Sequence, residues 1–547
     1  MIPKIKKLLQ VFHTLKYLKF EQFFYRVYYQ FKKPNISLVP QSIVLSTWSW
    51  TGPAIYNQSM FDDDVVCYLS LTGTIDSADN WNDPNKEKLW LYNLHYFDDL
   101  NSIDFDLRNS IHHNFIARWI DENLACDGNG WEAYPLSLRI VNWVKWFSKK
   151  ESVEQKYLNS IIQQASALSQ QLEYHILGNH LFANAKALTF VGCYIEGKQA
   201  EKYLDLGLKL LDREIPEQFL EDGAHFELSP MYHEILLWDL LELIDLAKTS
   251  NNVKLLERLP YWSTVANKAI SWLKSMIHPD GEISFFNDAA IGIAVKPQQV
   301  FDYALSLNID VSVELPFLIT NKESGYSCVS LPLYKLIIDH ANVGPDYLPG
   351  HAHADTLSFE LSVGNERIFV NSGTSLYGVS EERLRQRKTA AHNTVVVDDE
   401  DSSEVWSGFR VARRAYSTLV NIIESKEGIC IEAEHDGYKR LAGKVIHSRR
   451  FFAKNNIIEI EDTLDGIYNS ASAFFHLHPN VTVENISEFS VELTTETGEK
   501  LIVETSNRVV ILESTYHPEF GVSVDNKLLK VSMVGNQLIT TITIKEN

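Results

Sequence analysis

Apolar residues change their spacing once along this chain, and that change restricts the architecture to two halves of different kinds. From about residue 86 to 315 they recur at helical spacing, as in Ile111, Phe115, Ile116, Trp119 and Ile120, and again in Leu236, Leu237, Leu240, Leu243 and Ile244. Turn and cap signals cut the stretch at Asp127-Gly128-Asn129-Gly130, Gly178-Asn179, Ser229-Pro230 and Pro279-Asp280-Gly281, which predicts helix hairpins wound into a toroid or solenoid. From about residue 326 the period falls to two, in runs such as Arg367 to Val370, Thr394 to Val397, Ile457 to Glu461 and Val509 to Leu512. Crossover helices are missing between these runs, so an antiparallel sandwich is expected. The expected fold class is multidomain α+β: a lead-in over 1–85, a helical domain over 86–320 and a β-sandwich over 321–547.

A chain of 547 residues is too long for one growing core, which agrees with that division. Its net charge of -21 argues against nucleic acid as a partner and requires any site for a polyanion to be locally basic. Five cysteines without CxxC spacing predict neither a disulfide framework nor a cysteine zinc knuckle. With no long apolar run and no secretory leader pattern, the expected location is cytoplasmic or peripheral at the inner membrane, with the periplasm as alternative.

The first 33 residues depart from the rest. Lys4, Lys6, Lys7, Lys16, Lys19, Arg26, Lys32 and Lys33 are interleaved with nine aromatic residues, and Glu21 is the one acid. Such a segment either lies on an anionic membrane surface or packs on the protein body with its lysines in water.

Chemistry concentrates in a few places. In Pro349-Gly350-His351-Ala352-His353-Ala354-Asp355, alternate residues of an extended chain would set His351, His353 and Asp355 on one face, suited to a metal, to proton transfer or to both. In the helical half, Gly178-Asn179-His180 and Ser229-Pro230-Met231-Tyr232-His233 each open a helix, whose positive end favours a carboxylate. Arg383, Arg385, Arg387 and Lys388 form one basic run and Arg410, Arg413 and Arg414 another, able to bind carboxylate or sulfate or simply to pair with nearby acids. Trp131, Tyr134, Trp143, Tyr92 and Tyr96 are either sugar platforms or helix core.

Six segments, in the same order along the chain, resemble the heparinase II/III family of polysaccharide lyases, related to alginate lyases of similar architecture. They are Trp90 to Asp98 (WLYNLHYFD), Trp131 to Trp143 (WEAYPLSLRIVNW), Gly178 to Leu188 (GNHLFANAKAL), Asp222 to His233 (DGAHFELSPMYH), Gly350 to Leu361 (GHAHADTLSFEL) and Ala391 to Thr394 (AHNT). The resemblance implies an N-terminal (α/α) toroid, a C-terminal antiparallel β-sandwich, and β-elimination of a uronic acid-containing polysaccharide between them.

It also implies roles. Asn179 and His180 would neutralise the uronate carboxylate, Tyr232 would act as catalytic acid/base, and His351 would be a second acid/base. His233, Arg387, Arg413, Trp131 and Tyr134 are the expected substrate contacts. A structural zinc ion would sit on His353, His392 and residue 371, where this chain has Asn371 in place of the family's aspartate; an amide oxygen is a weaker zinc ligand, and Asp355 is the candidate substitute. No organic cofactor is expected. Capsule, O-antigen or exopolysaccharide metabolism is the expected setting. The alternatives are a non-catalytic glycan-binding or assembly protein and a glycoside hydrolase using two of Glu227, Asp288 and Asp222.

Overall fold

The computed structural model describes residues 2–36 and 43–545, with no side-chain detail before Ile5, so Met1 and the Lys4 side chain fall outside it. Helices α1 (Ile2–Leu15) and α2 (Phe20–Phe31) open the chain, and a hairpin of Val65–Tyr68 with Leu71–Thr74 follows. The helical half consists of α3 (Lys88–Tyr96), α4 (Asn109–Glu122), α5 (Ala133–Ser148), α6 (Gln155–Gln170), α7 (Gly178–Tyr194), α8 (Lys198–Gln218), α9 (Pro230–Ser250), α10 (Val253–Leu256), α11 (Leu259–Met276) and α12 (Pro297–Ser306).

Burial separates an inner from an outer layer of helices. Fifteen of the 17 residues of α7, and 17 of the 21 in α9, are buried, so these helices are covered on all sides. In α6 and α8 burial follows one stripe, as in Tyr203, Leu204, Gly207, Leu208 and Leu211 of α8. Close approach of α8 to α7 depends on Gly207, where a Cβ would meet Thr189 Oγ1 at 2.5 Å and Ala185 O at 2.8 Å.

From Leu318 onward the chain is β. A five-stranded sheet runs in sequence order through Leu318–Asn321, Tyr326–Leu331, Tyr334–Asp339, Phe359–Val363 and Glu366–Phe369. An eight-stranded sheet, a four-stranded sheet and a two-stranded hairpin complete the half, and the strands of each pair antiparallel. Strands such as Gly428–His435 and Ile457–Asp465 alternate half-buried with buried positions, as two-residue spacing requires. Phe359, Phe369, Phe451 and Phe475 meet in their shared core. One α-helix among the described residues, α13 (Glu381–Arg387), interrupts the strands; its N-terminus is capped by Ser380 Oγ, which accepts from Arg383 N.

A separate apolar cluster joins the halves: Ala224, Leu228, Trp272, Met276 and Phe286 pack against Tyr326, Cys328, Ile337 and Ala341. At about 1.5–3 kcal/mol for each large side chain buried, this contact fixes the seam on which the polar residues converge.

Candidate active site

Each helix start at the seam forms for a local reason. Ser229 is the N-cap of α9: its Oγ accepts from Tyr232 N at 3.2 Å and donates to Asp288 O, and Pro230 supplies a preset first-turn φ. Gly178 begins α7 at φ +57, a left-handed conformation that favours glycine. Leu177, Leu228 and Leu357, beside the three segments of the site, also have positive φ, a cost tolerated where surrounding packing dictates the backbone.

The segment holding His351 and His353 is not a strand. Residues 345–358 form turns, and the strand starts at Phe359, so the expected alternating face is replaced by convergence on one carboxylate. His351 Nδ1 lies 2.8 Å from Asp288 Oδ2 and His353 Nε2 lies 2.8 Å from Asp288 Oδ1. Arg383 grips the same carboxylate with both terminal nitrogens. Burial opposes the charge on Asp288, but Arg383 and the two imidazoles outweigh it and hold the acid well below the usual carboxylate range. Asp355 turns elsewhere, accepting from Asn287 N at 2.9 Å.

With Nδ1 engaged, His351 leaves Nε2 toward the seam, 3.7 Å from Glu227 Oε2. Its ring centroid is 3.9 Å from that of Tyr232, whose hydroxyl is 2.9 Å from Tyr377 Oη. Burial, then Tyr377 and Asp288, push the Tyr232 phenol well above its ordinary pKa. Across the seam, His180 Nδ1 is 2.9 Å from Glu173 Oε1, and the Tyr134 ring lies 4.4 Å from the His180 ring. Burial disfavours a charged His180, yet Glu173 overcomes it and raises the imidazole pKa. Asn179 is 6% exposed in the first turn of α7. Access is narrow: the side chains of His180 and His351 are 25% and 13% exposed, and Phe409, near the tip of the Val405–Trp406/Arg410–Val411 hairpin, sets its ring 6.0 Å from His351.

Tyr232, His351, Asn179, His180 and Tyr134 are thus brought together, and the other four expected substrate contacts are engaged elsewhere. His233 is fully buried, with Nε2 on Ala269 O and Nδ1 accepting from His225 N; burial lowers its pKa to about 3, so it is an internal brace. Arg387 is also buried and donates to Ala352 O and Ser407 O, holding the loop that carries His351. Arg413 pairs with Glu404. Trp131 is 5% exposed and packs beside Trp119, as core.

Sequence reasoning considered Asp288 and Glu227 only as a hydrolytic pair and overlooked Tyr377 and Glu173 as site residues. A polar Asn287-Asp288 pair between Phe285-Phe286 and Ala289-Ala290 was the available signal for Asp288. Glu227 is 3% exposed; burial raises its pKa, with His351, His180 and the Asn179 backbone pulling the other way. A hydrolytic carboxylate pair is not assembled, because Asp288 is enclosed and Asp222 accepts from Ser324 N and Oγ.

At the expected metal position, the rings of His353 and His392 are 5.2 Å apart; among the described residues His353 Nδ1 has no hydrogen-bond partner, and the Gln386 backbone lies against the His392 ring. Asn371 Oδ1 accepts from Asn393 N at 3.2 Å. Among the described residues no group of three or more His, Cys, Asp or Glu is placed to hold a metal ion, so a zinc ion here would rest on two imidazoles and the Asn371 amide.

Family profiles agree with this architecture: Heparinase II/III N-terminus matches residues 110–307 and Heparinase II/III-like, C-terminal matches residues 319–544. A heparin-sulfate lyase of Bacteroides stercoris is 24% identical over 343 residues, 58% of this chain and 48% of that protein. FtsZ-localized protein C of Caulobacter vibrioides is 28% identical over 320 residues, 54% of this chain and 52% of that one. The chain therefore spans about half the length of these curated relatives. A crystal structure of heparinase III superposes with a TM-score of 0.69 at 18% identity, covering 95% of this chain and 88% of that one, which places the fold as toroid plus sandwich. Two profiles that together match most of its length, one on each half, make the chain a member of the heparinase II/III family.

Proposed function

We propose that this protein is a lyase that cleaves a uronic acid-containing acidic polysaccharide by β-elimination. The observation that carries the reading is the anchored imidazole of His351, with Nδ1 on Asp288, its ring 3.9 Å from that of a protonated Tyr232, opposite Asn179 and His180. Asn179, a protonated His180 and the N-terminus of α7 offset the uronate carboxylate and so acidify C5. His351 Nε2 takes the C5 proton; the C5–H electrons form the C4=C5 bond, the C4–O4 bond breaks, and Tyr232 gives its proton to O4. The raised pKa of Tyr232 favours the donor half of the acid/base role, and Tyr377 offers a route for its reprotonation. A zinc ion held by His353, His392 and Asn371 would be structural, steadying the residues behind Asp288.

Within this class we favour capsule, O-antigen or exopolysaccharide as substrate, because the basic aromatic helices α1 and α2 suit work at a cell membrane. A second reading, a non-catalytic glycan-binding or assembly protein, draws on the relative named for localisation with FtsZ. Ultraviolet absorbance of the unsaturated uronate separates the two. Wild type should generate it on at least one member of a uronic acid polysaccharide panel and Tyr232→Phe should not; glycan binding without absorbance favours the second reading.

A further inference from the structure

Helices α1 and α2 turn polar and aromatic groups inward and a row of large apolar groups outward. On α2, Gln22 Nε2 donates to Ile176 O and Tyr347 O, Tyr29 Oη donates to Leu172 O at 2.6 Å, and Tyr25 stacks on Tyr174 at 4.5 Å. On α1, Thr14 Oγ1 donates to Val411 O and accepts from Trp406 Nε1.

Opposite these contacts lie Phe20, Phe23, Phe24, Val27 and Phe31 on α2, 42–85% exposed, and Ile5, Leu8, Leu9, Phe12 and Leu15 on α1, 38–69% exposed. Both sets recur three or four residues apart, so each makes one continuous stripe. Soluble surfaces seldom leave so large an apolar patch bare.

Charge identifies what covers it. Eight Lys or Arg and one acid occupy the first 33 residues of a chain whose net charge is -21. Lys7, Lys16, Lys32 and Lys33 are exposed and make no ion pair among the described residues. We propose that this face docks on an anionic phospholipid bilayer, with both helices lying in the interface, the phenylalanines among the acyl chains and the lysines at the headgroups. A second copy meeting the same face across a two-fold axis would set one basic rim against the other. The docked helices border the site: α1 touches the hairpin that carries Phe409 over His351, and α2 supports the segments leading to His180 and His351. A bilayer on this face holds the site beside membrane-borne glycan.

Flotation of the full chain with vesicles tests the surface without using the lyase reaction. Wild type should float with phosphatidylcholine containing about a third phosphatidylglycerol at low salt, lose binding as salt screens the lysines, and stay behind with phosphatidylcholine alone. Phe20→Ser/Phe24→Ser/Phe31→Ser and Lys7→Glu/Lys16→Glu/Lys33→Glu should each cut the bound fraction at least tenfold with the melting temperature unchanged, since every substituted side chain faces solvent. Failure of wild type to float at low salt overturns the proposal. So does equal flotation of both folded variants, or a wild-type dimer that the phenylalanine variant dissolves and that does not float.

Discussion

Two buried polar clusters lie along the inner helices, and they differ in how completely they are satisfied. Inside the toroid, Lys145 pairs with Glu242, Lys186 bridges Asp239 and Glu242, and Trp238 Nε1 donates to Glu242 at 2.9 Å. Each charge there has an opposite partner, and burial notwithstanding, the two lysines hold Glu242 at about 2. At the seam, one turn or more toward the helix starts, the network around Asp288 is less complete: among the described residues Nδ1 of His353 has no hydrogen-bond partner, and Glu227 meets only the distant His351 Nε2 and the Asn179 backbone. A closed network fixes a fold; an open one keeps hydrogen-bonding capacity for something that binds. The first cluster should therefore respond to mutation in stability and the second in chemistry.

Breaking the closed cluster should give the largest effect. Lys186→Met leaves two buried carboxylates sharing Lys145, and should cost about 3–5 kcal/mol in chemical denaturation while kcat per folded molecule holds. A cost below about 1 kcal/mol would remove the contrast between the clusters.

Asp288→Asn tests the open cluster. The amide lacks the charge that anchors two imidazoles and Arg383, so kcat should fall on the order of 100- to 1000-fold with KM nearly unchanged. Some melting temperature should be lost as well, because Arg383 is buried. A variant with unchanged kcat would show that Asp288 braces the fold and does not orient His351.

These clusters also mark how far the sequence is legible. Starts of α7 and α9 can be read, because caps, proline and glycine act within a few residues. The HxH segment misleads: alternation in Gly350-His351-Ala352-His353-Ala354 imitates a strand, whereas Asp288, 63 positions upstream, is what collects the imidazoles. Arg383 and Arg387, four apart on α13, share a face; spacing shows that they point together but not that they point inward. Trp131 and His233 look like ligand contacts by residue type and are core by position, which only the packing of α3 to α11 decides.

Restoring a carboxylate at residue 371 sharpens the comparison on the side of the open cluster. Asn371→Asp should raise zinc retained after dialysis at least tenfold, measured as metal content per chain, because a charged oxygen would join His353 and His392. Equal, low zinc in both proteins would mean that the two imidazoles serve another purpose.

The mildest effect belongs to His180, which in the proposed reaction meets the uronate carboxylate. Glu173 raises its pKa above 6.5 despite burial, so the cation that meets uronate is present below the folded-state value and lost as pH rises through it. The same sign governs stability: this imidazole contributes fully below its unfolded pKa of about 6.5, and the contribution disappears as pH climbs past the raised value. Glu173, with a lowered pKa, contributes above its unfolded value and is lost as pH falls through the folded one, so the pair works best in mildly acid to neutral solution. KM for a uronate polysaccharide should accordingly rise a few-fold on the alkaline side in wild type, while His180→Gln should show a higher KM at every pH without that alkaline rise. An alkaline limb that survives in His180→Gln would assign the titration to another group and leave His180 as a structural partner of Glu173.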